Sequence, residues 1–259
     1  MTEPTEPATL QVEGLGKIYG EVRAVTGLSF DVRAGEIVGL VGPNGAGKTS
    51  TLRCLSGIIP PNEGQIRVAG RSLGDDPVAV KRDLAFIPDE PRLFEYLTAR
   101  EHLAFIARLY EVEGWEGKAA ALWEELELKG KEDALPSELS RGMKQKLTIA
   151  CAFLRDPRVI LLDEPLTGLD PFGIRKVKQS LRARARAGAA LLLSSHLLPI
   201  VEELCDRVLV IAGGKRVAFG TIADIRAQLS AAQGGGAGSL EDLFMAITAQ
   251  AQEPRGPEP

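Results

Sequence analysis

Residues 42–49 read G-P-N-G-A-G-K-T, a complete match to the G-x-x-x-x-G-K-[ST] spacing that cradles nucleotide phosphates. The match follows an apolar run, E-I-V-G-L-V, and precedes K-T-S-T-L-R-C-L-S-G-I, which reads as a helix, so the loop sits in a strand-to-helix turn. In that context Gly42, Gly45 and Gly47 let the backbone curl. Together with Pro43, Asn44 and Ala46 they wrap phosphate oxygens at the positive end of the helix that starts near Lys48. Lys48 supplies a point charge for the β- and γ-phosphates, the Thr49 hydroxyl is positioned for Mg²⁺, and Ser50 reaches toward the α-phosphate. A glycine-rich turn without a ligand is the bland alternative. The full motif in its required context favours a nucleoside-triphosphate site.

A second group of chemically capable residues ends another apolar run. Val159, Ile160, Leu161 and Leu162 lead directly into Asp163 and Glu164, and Pro165 then stops the strand. Ligands of open α/β sheets sit at such strand ends. There Asp163 can hold Mg²⁺ through water, while Glu164 can polarise an attacking water. Solvated acids at a strand end are common, and only the phosphate-binding loop upstream raises this pair above that reading.

These residues need a scaffold that brings two distant strand ends together. Short strand patterns (L-Q-V-E-G-L-G-K-I-Y-G, G-L-S-F-D-V, E-I-V-G-L-V-G) open the chain, and Q-I-R-V-A-G and L-A-F-I-P read as further strands. From about Leu97 to Leu154 the pattern turns helical, and strands return as R-V-I-L-L-D-E, G-A-A-L-L-L-S-S and D-R-V-L-V-I-A-G-G-K-R-V-A-F-G. Strands alternating with helices predict an α/β fold with a mostly parallel sheet and a helical insertion. Glycines 234 to 236 and Gly238 predict a flexible break, followed by a short helix in S-L-E-D-L-F-M-A-I-T-A-Q and a disordered end.

Composition bounds the reading. The chain has 259 residues, 44% of them hydrophobic, and a formal net charge of -4, which allows a sizeable core and gives no broad electrostatic footprint for nucleic acid. The scattered Cys54, Cys151 and Cys205 suit a reducing compartment, each expected as a small buried apolar residue. The first residues lack the character of a signal peptide. No apolar run reaches the roughly 18 residues that cross a bilayer, so a soluble chain is expected, with any membrane role borrowed from a partner. The basic stretch from Arg175 to Arg186 reads as the solvated face of a helix whose Val177, Leu181 and Ala185 point inward. His102 reads as a surface or packing residue, and Trp115 and Trp123 as packing of the helical part.

Between the two acidic and phosphate-binding motifs stands Leu139-Ser140-Arg141-Gly142-Met143. Alone it is an N-cap serine and a loop glycine. In its place just before the Asp-Glu strand it resembles, in variant form, the L-S-G-G-Q signature of the ATP-binding cassette (ABC) family. Gly168-Leu169-Asp170 resembles that family's D-loop, Ser195-His196 its switch histidine, and Tyr19-Gly20 its adenine-stacking aromatic. The resemblance covers residues 9 to 220 or so. It implies a P-loop NTPase (RecA-like) core with a small antiparallel β subdomain and an inserted helical subdomain at about 89–156. The cassette would span residues 1–229, and the linker, short helix and tail 230–259.

The resemblance also implies ATP and Mg²⁺ as ligands and a head-to-tail dimer with two ATP molecules between cassettes. Tyr19, Lys48, Thr49, Asp163, Glu164 and His196 would then act on the nucleotide of their own subunit. Ser140 and Gly142 would meet the γ-phosphate held by the other, and Asp170 would support the dimer face. Where the family carries a glutamine after the strand L-A-F-I-P, this chain has Asp89, a shorter and charged candidate for Mg²⁺. The pattern I-P-D-E-P-x-L-F-E-x-L-T and the S-L-E-D-L-F segment resemble exporter-type bacterial cassettes. The expectation is therefore an ATPase that energises export through separate membrane-spanning permease chains, held peripherally at the cytoplasmic face of the cell membrane, with residues from Asp89 to about Tyr110 meeting the partner. A soluble ABC ATPase acting on DNA or ribosomes is the alternative. Such relatives usually bring a coiled-coil insert, a zinc-binding cysteine set or two fused cassettes, and none of these is present. An unrelated P-loop kinase or GTPase would lack the signature-like segment.

Overall fold

The computed structural model describes residues 9–232; the glycine-rich stretch after residue 233 and the S-L-E-D-L-F segment lie outside them. In chain order the elements are β1 (Leu10–Tyr19), β2 (Val22–Val32), β3 (Ile37–Val41), α1 (Lys48–Leu55), β4 (Glu63–Val68), β5 (Arg71–Ser72), α2 (Pro77–Asp83), β6 (Leu84–Ile87), α3 (Ala99–Leu109), α4 (Trp115–Glu125), α5 (Arg141–Phe153), β7 (Val159–Asp163), α6 (Pro171–Arg186), β8 (Ala190–Ser194), α7 (Leu198–Leu204), β9 (Arg207–Ala212), β10 (Lys215–Thr221) and α8 (Ile222–Ala232). The motif-bearing strands and helices fall where the apolar patterns predict them. The two-residue β5 and the short α2 were not anticipated, because neither carries enough apolar periodicity to stand out.

Six strands form one sheet in the order β10-β9-β3-β8-β7-β6, and four form a second in the order β2-β1-β4-β5. In the larger sheet β6, β7, β8, β3 and β9 run parallel, with β10 antiparallel at the edge; the smaller sheet is antiparallel throughout. The five-residue runs β3, β7 and β8 are buried along their whole length, as continuous apolar strands covered on both faces must be. Their side chains alternate between two cores, with the strand period of two. Ile37, Ile160, Leu162, Leu191 and Leu193 join the core shared with α3 to α7. Val38, Leu40, Val159, Leu161 and Leu192 join the core shared with α1 and the antiparallel sheet. The parallel sheet is thus the middle layer.

The helices between β6 and β7 have local reasons to form. α3 starts in a reciprocal capping box in which Glu101 N–H donates to Thr98 Oγ1 at 3.3 Å and Thr98 N–H donates to Glu101 Oε2 at 2.7 Å. It buries Ala99, His102, Leu103 and Ala107 on one face. His102, open between surface and packing in the sequence, is buried. Its Nε2 accepts from Phe94 N–H at 2.9 Å and its Nδ1 lies 2.8 Å from the Thr98 carbonyl, a pattern met with the proton on Nδ1. Trp123 is buried and Trp115 packs against the same core. In α6 Val177, Leu181 and Ala185 are buried as expected, while on its other faces Lys178 and Arg184 pair with Glu203 and Glu125. Cys54 and Cys205 are buried; Cys151 is only partly so, because it lies on the half-buried face of α5 with Lys144 and Thr148.

One side chain fixes where β6 begins. Arg155, just after α5, donates through Nη1 to the carbonyls of Lys81 at 2.7 Å and Arg82 at 3.1 Å, and through Nη2 to that of Leu84. It also stacks on the Tyr110 ring, 4.1 Å from its centroid. It thereby satisfies carbonyls freed at the end of α2 and sets the start of the strand whose far end leads to Asp89. Arg155→Met is expected to destabilise the fold by about 2 kcal/mol, the scale of charged hydrogen bonds to buried acceptors. The midpoint of urea unfolding reports this; an unchanged midpoint would mean the three carbonyls are equally well served by water.

Candidate nucleotide-phosphate site

Parallel pairing brings the two motifs to one edge. Leu40 of β3 stands opposite Ser194 of β8, and Ser194 stands opposite Asp163 of β7. The segments that leave these strands therefore emerge side by side. There they enclose a cleft of about 320 Å³ lined by Ala24, residues 44–50, Asp89, Asp163 and Glu164.

The loop before α1 has glycine where nothing larger fits. A Cβ on Gly42 would lie 2.2 Å from the Ile211 carbonyl oxygen, and one on Gly47 2.4 Å from that of Ala24; Gly47 also has φ of 101°. Gly214 N–H donates to the Ala46 carbonyl at 3.2 Å and Thr26 N–H donates to that of Gly214 at 2.8 Å. The β2 strand and the β9–β10 turn thus brace the loop. Lys48 reaches back over it, donating to the carbonyls of Gly42 at 2.6 Å and Pro43 at 3.1 Å. Burial pulls its ammonium below the ordinary lysine value, and the nearby Glu164 and Asp163 carboxylates oppose this. Asn44, Gly45 and Thr49 are exposed, while Ser50 is half-buried.

The acids are held more firmly. Asp163 is buried, and the Ser194 hydroxyl donates to its Oδ1 at 2.6 Å. Glu164 follows with φ of 47°, a left-handed conformation that costs on the order of 1 kcal/mol or more in a non-glycine residue. Its N–H donates to the Ser194 carbonyl at 3.1 Å, and its Oε2 lies 2.8 Å from His196 Nδ1. Burial raises the Glu164 carboxyl above the ordinary glutamate value, with His196 first and then Lys48 pulling it back.

Asp89, at the loop after β6, completes the lining. Its Oδ1 is buried without a hydrogen bond, which is costly for a carboxylate oxygen; a cation, Arg141 Nη2, stands 3.9 Å away. Among the described residues no group of three or more His, Cys, Asp or Glu side chains is gathered tightly enough to hold a metal by itself. Mg²⁺ usually takes one or two carboxylates and draws its other ligands from phosphates and water. The unbonded Asp89 oxygen, Asp163 and the Thr49 hydroxyl are oxygen donors of the right kind.

The other candidates stand apart from this lining. Tyr19 ends β1 with 44% of its surface exposed, and the Lys17 ammonium lies 5.1 Å from its ring centroid. Ser140 caps α5, its Oγ accepting from Met143 N–H at 3.2 Å, and Gly142 lies in the same first turn. Asp170 caps α6, accepting from Gly173 N–H at 2.6 Å. The structure thus gathers Asn44 to Ser50, Asp89, Asp163 and Glu164, with His196 joined through Glu164, and keeps Tyr19, Ser140, Gly142 and Asp170 elsewhere. Two contributors were missed in the sequence. Ala24 gives no chemical signal. Ser194 does, as a polar residue ending the apolar run A-L-L-L-S and directly preceding Ser195-His196.

Comparison with known proteins agrees with this geometry. The family model described as ABC transporter matches residues 25–167. The ABC-type transporter ATP-binding protein EcsA of Bacillus subtilis (strain 168) is 34% identical over 241 residues, covering 92% of this chain and 96% of its own length. The Nod factor export ATP-binding protein I of Paraburkholderia xenovorans (strain LB400) is 40% identical over 215 residues, 82% of this chain and 71% of that protein. A solved structure described as the ATP binding subunit of an ABC transporter superposes with a TM-score of 0.87 at 36% identity, covering 93% of this chain and 99% of its own. A phosphate-binding loop, an Asp-Glu strand end and a relative matched over 96% of its own length lead to one conclusion: the chain belongs to the ABC transporter family, among its ATP-binding subunits.

Proposed function

We propose that this chain hydrolyses ATP and that the hydrolysis drives export through a separate membrane-spanning partner. The observation that carries the reading is the convergence of Lys48, Thr49, Asp163 and Glu164 at one cleft, with His196 bonded to Glu164. Lys48 and the backbone of residues 42–47 bind and orient the phosphates. Thr49, Asp163 and Asp89 would hold Mg²⁺, which would offset phosphate charge. Glu164 orients the attacking water and receives its proton, at a carboxyl whose proton affinity burial has already raised. His196 holds Glu164 and turns toward the γ-phosphate, and Tyr19 stacks on the base.

Ser140, Gly142 and Asp170 have no place in the cleft of their own subunit. In this reading Ser140 and Gly142 meet the γ-phosphate held by a second cassette facing head to tail, gripping it only after closure, and Asp170 helps hold the dimer face. Residues of about 89–156 form the helical subdomain that carries Ser140 and Gly142 within a cassette of residues 1–229, and residues 230–259 form an appended segment. Among the described residues no helix is long and apolar enough to cross a membrane. Residues 89–110 support the partner reading, because Phe94, Tyr96 and Leu109 are 56%, 90% and 59% exposed and Phe94 packs edge-on against the exposed Phe105 at 5.3 Å, exposed apolar side chains of the sort found at interfaces. The chain would then lie at the cytoplasmic face of the membrane. Export is favoured because the Nod factor relative is an export ATP-binding protein.

Lys48→Ala is expected to weaken ATP binding roughly 100-fold, as loss of one side of a charged contact does (about 3 kcal/mol), measured by titration calorimetry. Glu164→Gln should keep ATP affinity while phosphate release falls at least about 100-fold; normal turnover in that variant would remove Glu164 from the role of water-activating group. Tyr96→Ala combined with Leu109→Ala should leave ATP binding intact and deplete the chain from the membrane fraction. Full retention there would take this face out of the partner contact.

A further inference from the structure

Arg141 is the first residue of α5, where the free N–H groups and the helix dipole already concentrate positive charge, a poor location for a guanidinium. Two contacts hold it there. Its stem lies against Gly168: a Cβ on that glycine would come within 3.1 Å of both Cδ and Nε of Arg141. Its Nη2 stands 3.9 Å from Asp89 Oδ1, within reach of ion pairing but too far for a hydrogen bond. At the same junction a Cβ on Gly142 would lie 3.1 Å from the Gly168 carbonyl oxygen. Arg141 thus ties the turn that carries Ser140 and Gly142 to two neighbours, the loop after β7 and the loop after β6. The Asp89 oxygen it approaches is the buried one without a hydrogen bond, and its carboxylate also lines the phosphate cleft beside Thr49, Asp163 and Glu164.

We propose that Asp89 serves two cations in turn, Arg141 when the cleft is without nucleotide and the divalent cation of a bound nucleotide when it is filled. Filling the cleft then draws Asp89 off Arg141 and frees the first turn of α5. Arg141 is a positioning residue in this scheme: it acts on the metal only through Asp89, and a glutamine at position 89 could not pair with it as a charge. The proposal rests on the reading that the cleft takes Mg²⁺ with ATP.

The test is ATP affinity of the full chain measured by calorimetry, once with Mg²⁺ and once in excess EDTA. Arg141→Gln should tighten binding about threefold in Mg²⁺, the scale of an exposed ion pair, and leave the EDTA value unchanged. Arg141→Lys, which keeps the charge, should behave as the unmodified protein. In an Asp89→Asn background, where the advantage given by Mg²⁺ shrinks, adding Arg141→Gln should change nothing further. Equal shifts in Mg²⁺ and EDTA, no shift in either, or a shift that survives in the Asp89→Asn background would each overturn the exchange. An unmodified chain that binds no ATP under either condition would instead overturn the nucleotide reading on which it rests.

Discussion

The constraint on which everything else depends is that β3, β7 and β8 have no water to bond with. Buried backbone groups must pair, so the three strands are locked in a single register, Leu40 opposite Ser194 and Ser194 opposite Asp163. Period-two alternation makes that register unforgiving. A slip of one residue would turn Ile160 and Leu162 from one core to the other and drag Asp163 inward. The requirement that stabilises the middle layer therefore also sets the level at which Gly42, Asp163, Glu164 and Ser195 leave it. β6 joins at the same level, Ile87 opposite Leu162, which delivers Asp89 two residues later. The chemistry at this edge is a consequence of how the core pairs.

Within that edge the strain and the charge are concentrated on Glu164. Its φ of 47° is sustained by hydrogen bonds on both sides, its own N–H to the Ser194 carbonyl at 3.1 Å and the Thr167 N–H to its carbonyl at 3.2 Å. The turn aims the side chain at His196 and away from the strand axis. Burial alone would favour the neutral acid, and His196 and Lys48 favour the carboxylate. A group balanced between these influences can hold a water as a carboxylate and accept its proton afterwards, which neither a fully solvated nor an isolated buried glutamate does well. Asp163, by contrast, is held by a single side-chain donor, the Ser194 hydroxyl on its Oδ1.

Much of this was legible in the sequence, for physical reasons that differ by residue. The loop of residues 42–49 could be read because phosphate wrapping needs backbone freedom and charge at fixed spacing, which leaves few sequences able to do it. The strand ending in Asp163 could be read because burial on both faces demands an unbroken apolar run. Long-range partners could not be read. Ser194 reaches Asp163 with its hydroxyl because the ladder sets the two strand ends side by side, Arg155 finds the carbonyls of Lys81, Arg82 and Leu84 across the fold, and Arg141 meets Asp89 across two loops. None of these pairings leaves a periodic trace. His102 shows the same limit from the other side. Burial of a single imidazole depends on whether Phe94 N–H happens to need an acceptor, and composition carries no record of that. The partly exposed Cys151 failed the general rule that cysteines are buried, since that rule describes a residue type and not a position on α5.

The charge balance of the cleft gives Asp89 its meaning. Three carboxylates, Asp89, Asp163 and Glu164, line it against the single ammonium of Lys48, and a nucleotide triphosphate would bring several more negative charges. Lys48 is partly withdrawn from that task, being desolvated and bonded to the carbonyls of its own loop. An amide at position 89 would leave this imbalance smaller and would serve a metal only as a neutral oxygen. A carboxylate enlarges it, and a divalent cation or a neighbouring cation would offset it. Arg141 is the neighbour within reach, carried on the first turn of α5 beside the cleft. The substitution of acid for amide and the guanidinium at a helix start are each unfavourable alone. Together they offset one another, which is a physical reason to read them as a single device.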